Sequence, residues 1–207
     1  MTIHLYTFGW NEMRMIGFFF RHYEPFVDKF VFYDDGSTDG TLELLASKAN
    51  VEIRPFAYSC PDSFSLSVQA MRNECWKESR GEADWVIVTD ADEHLHHPAL
   101  PSYLARCKDE GVTYIPALGF DMVTESFPHL GEHLATSHTI GAPSAVYSKL
   151  RIFDLPSRRS TTVSARIRRR QAGVQSPNAK PQAMAQTSWP LRTRKKTAPS
   201  SRATVSK

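Results

Sequence analysis

Apolar positions recur along most of the chain with two periods, 2 and about 3.6, and they mark out alternating strands and helices. Residues 2–8 alternate and predict a first strand. Met13, Ile16, Phe19, Phe20 and Tyr23 form a helical stripe, predicting a helix capped by Asn11 and stopped near Pro25. Phe30-Val31-Phe32-Tyr33 predicts a buried strand, and a helix starts at Leu42. Residues 51–56 predict a short strand, placed at an edge by Pro55. A helix over 65–79 turns Leu66, Ala70, Met71 and Cys75 to one side and Arg72, Asn73 and Lys77 to the other. Residues 85–89 read as the central strand, 97–108 as a helix, and 112–118 and 145–153 as later strands. Between the last two lies a loop rich in His, Glu and Gly. Strands alternating with helices predict an α/β class: a mostly parallel, Rossmann-like sheet flanked by helices.

From Ser157 onward neither period survives. Arg, Lys, Ser, Thr, Ala, Gln and Pro dominate, with Trp189 the one aromatic. Charge divides the chain at the same place. Residues 1–157 hold 12 Lys and Arg against all 22 Asp and Glu, a net of −10, while residues 158–207 hold 13 basic residues and no acid. We therefore divide the chain into a folded domain, 1–156, and a basic low-complexity tail, 157–207, expected to be disordered. The abrupt switch also fits a tail translated out of frame. With one aromatic and no recognisable module, the tail is a weak candidate for binding nucleic acid.

Length and 41% apolar content suit one domain with a full core. No apolar run approaches the roughly 20 residues of a membrane span. Cys60, Cys75 and Cys107 are odd in number and lack metal-ligand spacing, which reads as reduced thiols in a cytoplasmic protein.

The candidate chemistry sits where two strands end. Trp85-Val86-Ile87-Val88 runs into Thr89-Asp90-Ala91-Asp92-Glu93. In open α/β sheets, ligands bind outside the carboxyl ends of strands. Side chains two apart in extended chain point the same way, so Asp90 and Asp92 are expected to converge. Carboxylates about 5 Å apart repel by roughly 3 kcal/mol at an effective dielectric of 20. A hard cation between them, Mg²⁺ or Mn²⁺ with phosphate oxygens completing its shell, turns that repulsion into binding. A solvated acidic turn is the plainer reading of the same residues. The second strand ends in Asp34-Asp35-Gly36-Ser37-Thr38-Asp39-Gly40-Thr41 before a helix, one half of a nucleotide-binding α/β unit. His94, His96 and His97 lack zinc-ligand spacing.

These motifs together resemble glycosyltransferase family 2 proteins of the GT-A fold. The residues carrying the resemblance are Asn11-Glu12, His22-Tyr23, Phe32 to Thr41, Thr89 to Glu93, and the strand Tyr147-Ser148-Lys149-Leu150-Arg151-Ile152-Phe153. It covers residues 3 to about 154. The resemblance implies transfer of a sugar from a nucleotide diphospho-sugar to a hydroxyl acceptor, metal-dependent and inverting. It implies that Asn11, Asp34, Asp35, Ser37 and Asp90 face the nucleotide, and that Asp92, with Asp90, holds Mn²⁺ or Mg²⁺. Arg72 and Asn73 would orient the nucleotide or the Asp pair, a surface ion pair being the alternative. The base candidates are Asp121 and Glu125, which no motif supports. Relatives commonly carry a further histidine after the lysine-bearing strand. This chain has none beyond His138, and its acceptor-side segment is expected to be missing, so impaired activity is expected. The rival functional readings are a non-catalytic nucleotide-binding or interaction protein, and a phosphohydrolase using Asp90 and Asp92. His94 stands where a phosphohydrolase needs Thr or Val.

Overall fold

The structure, a computed structural model, describes residues 1–154 and 184–188. Its first half alternates as expected: β1 (Ile3–Gly9), α1 (Ile16–Tyr23), β2 (Lys29–Asp34), α2 (Thr41–Ala46), β3 (Val51–Pro55), α3 (Phe64–Glu74) and β4 (Trp85–Val88). A 3-10 turn, Cys75–Ser79, extends α3. Then come β5 (Glu93–His96), α4 (Leu100–Asp109), β6 (Tyr114–Met122), α5 (Leu134–Ser137), β7 (Gly141–Phe153) and β8 (Met184–Ser188).

One sheet runs β3-β2-β1-β4-β7-β6-β8-β5. The β3-β2-β1-β4 half is parallel, and β7 returns antiparallel between β4 and β6. This is the mixed, mostly parallel α/β sheet of the GT-A arrangement. Most of the tail lies outside the described residues. Within it, Met184–Ser188 pairs with both β6 and β5.

The strands form where they do because both faces of the sheet are covered there. Trp85, Val86 and Ile87 are fully buried, and Val88 nearly so. Such continuous apolar runs are typical of parallel strands sandwiched between helices. Burying each such side chain contributes about 1.5–3 kcal/mol. On one face, Phe19, Phe20 and Tyr23 of α1 and Leu100 and Leu104 of α4 pack on Leu5, Phe30 and Ile87. On the other, α3 and its 3-10 extension pack Met71, Cys75 and Trp76 on Tyr6, Val86 and Val88.

Two local expectations fail. Asn11 does not cap α1. It sits in the left-handed region at φ 56, and the helix starts five residues later, at Ile16. The strand expected over 85–89 ends at Val88, and Asp92 lies in a turn rather than in the extended chain expected to align it with Asp90. That turn starts β5, a strand the sequence reading missed.

Candidate active site

The two acidic segments stand at the same end of the sheet. Strands β2 and β4 flank β1 in parallel register, with Gly9 opposite Asp34 and Tyr6 opposite Val88. At about 4.8 Å per strand, their tips lie on the order of 10 Å apart. The segment after β1, Trp10 to Met15, crosses the gap between them.

At the β2 tip, hydrogen bonds hold the loop closed. Asp34, 7% exposed, accepts from the backbone N–H groups of Gly36 at 2.8 Å and Ser37 at 2.9 Å through Oδ2. Its Oδ1 is buried with no hydrogen-bond partner. Ser37 Oγ accepts from the Asn11 N–H at 2.8 Å, and Asn11 Oδ1 accepts from the Thr38 N–H at 2.8 Å. The left-handed backbone of Asn11 thus locks β1's exit to the β2 loop. Gly36, at φ 79, and Gly40, at φ 96, adopt the backbone the turn requires. Asp39 Oδ1 accepts from the Thr41 hydroxyl at 2.6 Å and from its N–H at 3.1 Å, and so forms the start of α2. Asp35 is half-buried. Its Oδ2 accepts from the Tyr58 hydroxyl at 2.7 Å, beside an aromatic cluster of Phe8, Phe56, Tyr58 and Phe64.

The β4 tip is arranged differently. Glu93 is fully buried and paired with Arg151, itself 3% exposed, at 2.6 Å. Its Oε2 also accepts from the Asp90 N–H and the Thr89 hydroxyl, each at 3.2 Å, fixing the turn. Arg72 on α3 pairs with Asp90, a contact common to both expectations for it, orienting the acid or forming a surface ion pair. Asp92 makes no ion pair. Burial first, then the charges of Asp90, Glu93 and Glu12, push its carboxyl up to about 7. Burial, then Asp90, push Glu12 to about 7 as well.

Glu12 is the residue the sequence reading left without a role. Its Oε2 is buried with no hydrogen-bond partner. It reaches this position by folding over Gly9, where a Cβ would lie 2.7 Å from Glu12 Cγ and 2.6 Å from Phe32 Cζ. The available signal was its place beside Asn11, immediately after a strand that ends in glycine.

His22 and Tyr23 hold β5 to α1. His22 Nε2 donates to the Leu95 carbonyl at 2.7 Å, and burial drops the imidazole to about 4, keeping it neutral. The Tyr23 hydroxyl donates to the Glu93 carbonyl and accepts from the Leu95 N–H, both at 2.9 Å. Asp121 lies on β6, whose carboxyl end points the same way as that of β4. Glu125 is exposed beyond it.

Among the described residues, no three His, Cys, Asp or Glu side chains are grouped to hold a metal ion by themselves. The carboxylates at the β4 tip are nevertheless the hard oxygen donors that Mg²⁺ and Mn²⁺ prefer. Asp92 feels the charges of Asp90, Glu93 and Glu12, and the first two of these are matched by ion pairs. Asp92 and Glu12 keep unmatched charge, which a divalent ion would neutralise with ligand oxygens completing its shell.

In this mixed, mostly parallel α/β sheet, two acid-tipped strands flank the strand whose exit loop lies between them. The family model described as glycosyl transferase family 2 matches residues 21–170, and the chain belongs to that family. No curated protein matches. Among solved structures, S. aureus TarS 1–349 is similar at 13% identity, covering 75% of this chain and 47% of that one, with a TM-score of 0.42. TarS 1–349 in complex with UDP-GlcNAc is similar at 15% identity, covering 62% and 37%, with a TM-score of 0.37. Glucosyl-3-phosphoglycerate synthase from Mycobacterium tuberculosis, in complex with Mn²⁺, UDP and glucosyl-3-phosphoglycerate, is similar at 23% identity, covering 57% and 44%, with a TM-score of 0.35. The chain spans less than half the length of each of these. No helix among the described residues is long and apolar enough to cross a membrane.

Proposed function

We propose that this domain transfers a sugar from a nucleotide diphospho-sugar to a hydroxyl acceptor, with a divalent ion at the β4 tip and inversion at the anomeric carbon. The observation carrying this reading is the contrast across β1: a hydrogen-bonded loop on one side, and carboxylates with unmatched charge on the other, on the order of 10 Å away. Asp35, at the edge of the aromatic cluster, accepts from the nucleoside. Asn11, Asp34 and Ser37 shape the loop that receives it. Asp92 holds Mn²⁺ or Mg²⁺, with Asp90 kept in place by Arg72. The ion supplies Lewis-acid stabilisation of the departing diphosphate.

Transfer forms a bond from the acceptor oxygen to the anomeric carbon and breaks the bond from that carbon to the diphosphate oxygen. The electron pair leaves with the nucleoside diphosphate, and the acceptor proton passes to a carboxylate. Asp121 and Glu125 are the candidates for that base, Asp121 being the nearer to the sheet end. Incubating the full chain with UDP- and GDP-sugars and Mn²⁺, with and without acceptors, tests the reading. Release of nucleoside diphosphate that depends on Mn²⁺ and on Asp92 is the expected result. Binding without turnover supports the non-catalytic reading, and no binding of any donor overturns both.

A further inference from the structure

We infer that the groove between α3 and β7 is the acceptor subsite, and that it takes a hydroxyl compound bearing a carboxylate or a phosphate. This rests on the donor reading above, which occupies the tips of β1, β2 and β4 and leaves the neighbouring volume without a role. That volume is a groove of about 800 Å³ lined by residues of α3, β4 and β7, including Arg72, Trp76, Val88, Lys149, Arg151 and Phe153.

Its position follows from strand register. β7 runs antiparallel to β4, with Phe153 opposite Val86 and Ile152 opposite Ile87. Next along β7, Arg151 donates to the Val88 carbonyl at 3.3 Å, and Arg72 on the groove's α3 wall pairs with Asp90. The groove therefore reaches the Asp90 side of the β4 turn through Arg72. A ligand lying in it would have one end beside the reacting centre.

The lining is amphiphilic. Trp76 and Phe153 stack with ring centroids 5.5 Å apart and planes 26° apart, forming an apolar stretch away from the carboxylates. Three cations line the end nearer the carboxylates, and they are not equivalent. Arg72 pairs with Asp90, and Arg151 pairs with the buried Glu93. Lys149 makes no ion pair among the described residues. Its recorded neighbour is the Tyr147 ring, 5.5 Å from the ammonium. Burial and the Arg151 charge lower the lysine's affinity for its proton, while Glu93 and Asp90 restore part of it. A half-buried ammonium with no anionic partner, facing an open groove, is where an anionic ligand gains most. A charge-assisted hydrogen bond there contributes about 1.5–3 kcal/mol. An uncharged hydroxyl compound lacks that contact, so the groove separates the two classes.

Full-length chain saturated with UDP and Mn²⁺ should be titrated by calorimetry with glycerol 1-phosphate and, separately, with glycerol. These probes share hydroxyls and differ in the phosphate. The expected result is binding of glycerol 1-phosphate and none of glycerol. Lys149→Met should weaken glycerol 1-phosphate roughly tenfold or more. Lys149→Arg should retain most of the affinity, and both variants should bind UDP within about twofold of the parent. Equal binding of glycerol 1-phosphate to Lys149→Met and to the parent overturns the inference. So does a parent that binds UDP but not glycerol 1-phosphate. A Lys149→Met chain that loses UDP rather than glycerol 1-phosphate makes the lysine a donor ligand and also overturns it. Failure of UDP and GDP to bind at all is a different result and counts against the donor reading itself.

Discussion

The tips of β2 and β4 are built from the same residue type and use it in opposite ways. At β2, three aspartates are engaged by hydrogen-bond donors: Asp34 by two backbone N–H groups, Asp39 by Thr41, and Asp35 by Tyr58. A carboxylate surrounded by N–H and O–H groups is a structural part of a turn. At β4 the carboxylates crowd one another. Arg72 and Arg151 neutralise two, and Asp92 and Glu12 are left repelling each other and their neighbours. Unmatched charge that folding tolerates is a mark of a ligand site. The first tip holds a loop in shape with Asp35 at its edge, and the second gathers carboxylates whose charge a bound cation would offset.

The largest effect should come from breaking the one pair that the β4 tip cannot lose. Arg151→Met leaves the fully buried Glu93 without its cation, and about 3–5 kcal/mol of stability should be lost in a urea unfolding curve. A loss below about 1 kcal/mol would show that Glu93 is protonated in the folded chain.

At the β2 tip, Asp34→Ala removes the acceptor of two backbone N–H groups inside a largely buried turn. The expected cost is about 2–3 kcal/mol, with the rise in melting temperature caused by Mn²⁺ left as in the parent. Gly9→Ala tests the segment joining the tips. The added methyl meets Phe32 and Glu12 together, so a loss of about 1–3 kcal/mol is expected. Displacement of Glu12 should also lower affinity for Mn²⁺. A neutral Gly9→Ala would mean that the crossing segment moves freely.

A pH dependence should also arise at the β4 tip. Asp92 and Glu12 titrate near 7 in the folded chain, against 3.8 and 4.5 ordinarily. Between about pH 4 and 7 the folded state therefore holds protons that the unfolded state has lost. Stability without metal should fall as pH rises through that window, because the unfolded state binds fewer protons. Asp92→Asn combined with Glu12→Gln should flatten the dependence, whereas Asp35→Asn should leave it intact. Affinity for Mn²⁺ should rise over the same window as the two carboxyls ionise.

Much of this contrast was legible in the sequence. Period and turn residues placed β1, β2, β4 and the helix preceding β4 within a few residues of their observed bounds, because each is a buried run bounded by polar turns. Asp35 directly follows β2, whereas Asp92 lies in a turn four residues past the end of β4. What failed was local and has tertiary causes. Asn11 looked like a cap, but its side chain bonds across to the Thr38 N–H, 27 residues on, and no spacing rule reports that. β5 was missed because Glu93-His94-Leu95-His96 reads as polar, yet from distant elements Arg151 pairs with Glu93 and the Tyr23 hydroxyl accepts from the Leu95 N–H. Glu12 was invisible as a site residue because its burial depends on Gly9 lacking a side chain.

The most direct test of the contrast is a calorimetric titration of UDP and GDP into Asp35→Asn and Asp92→Asn, each with and without Mn²⁺. At 100 times its dissociation constant, a bound nucleotide should stabilise the parent by about 2.7 kcal/mol, which gives a parallel thermal check. The account predicts that Asp35→Asn weakens the nucleotide equally with and without metal, and that Asp92→Asn abolishes only the gain due to Mn²⁺. An Asp92→Asn chain whose nucleotide affinity still rises with Mn²⁺ as in the parent would contradict it.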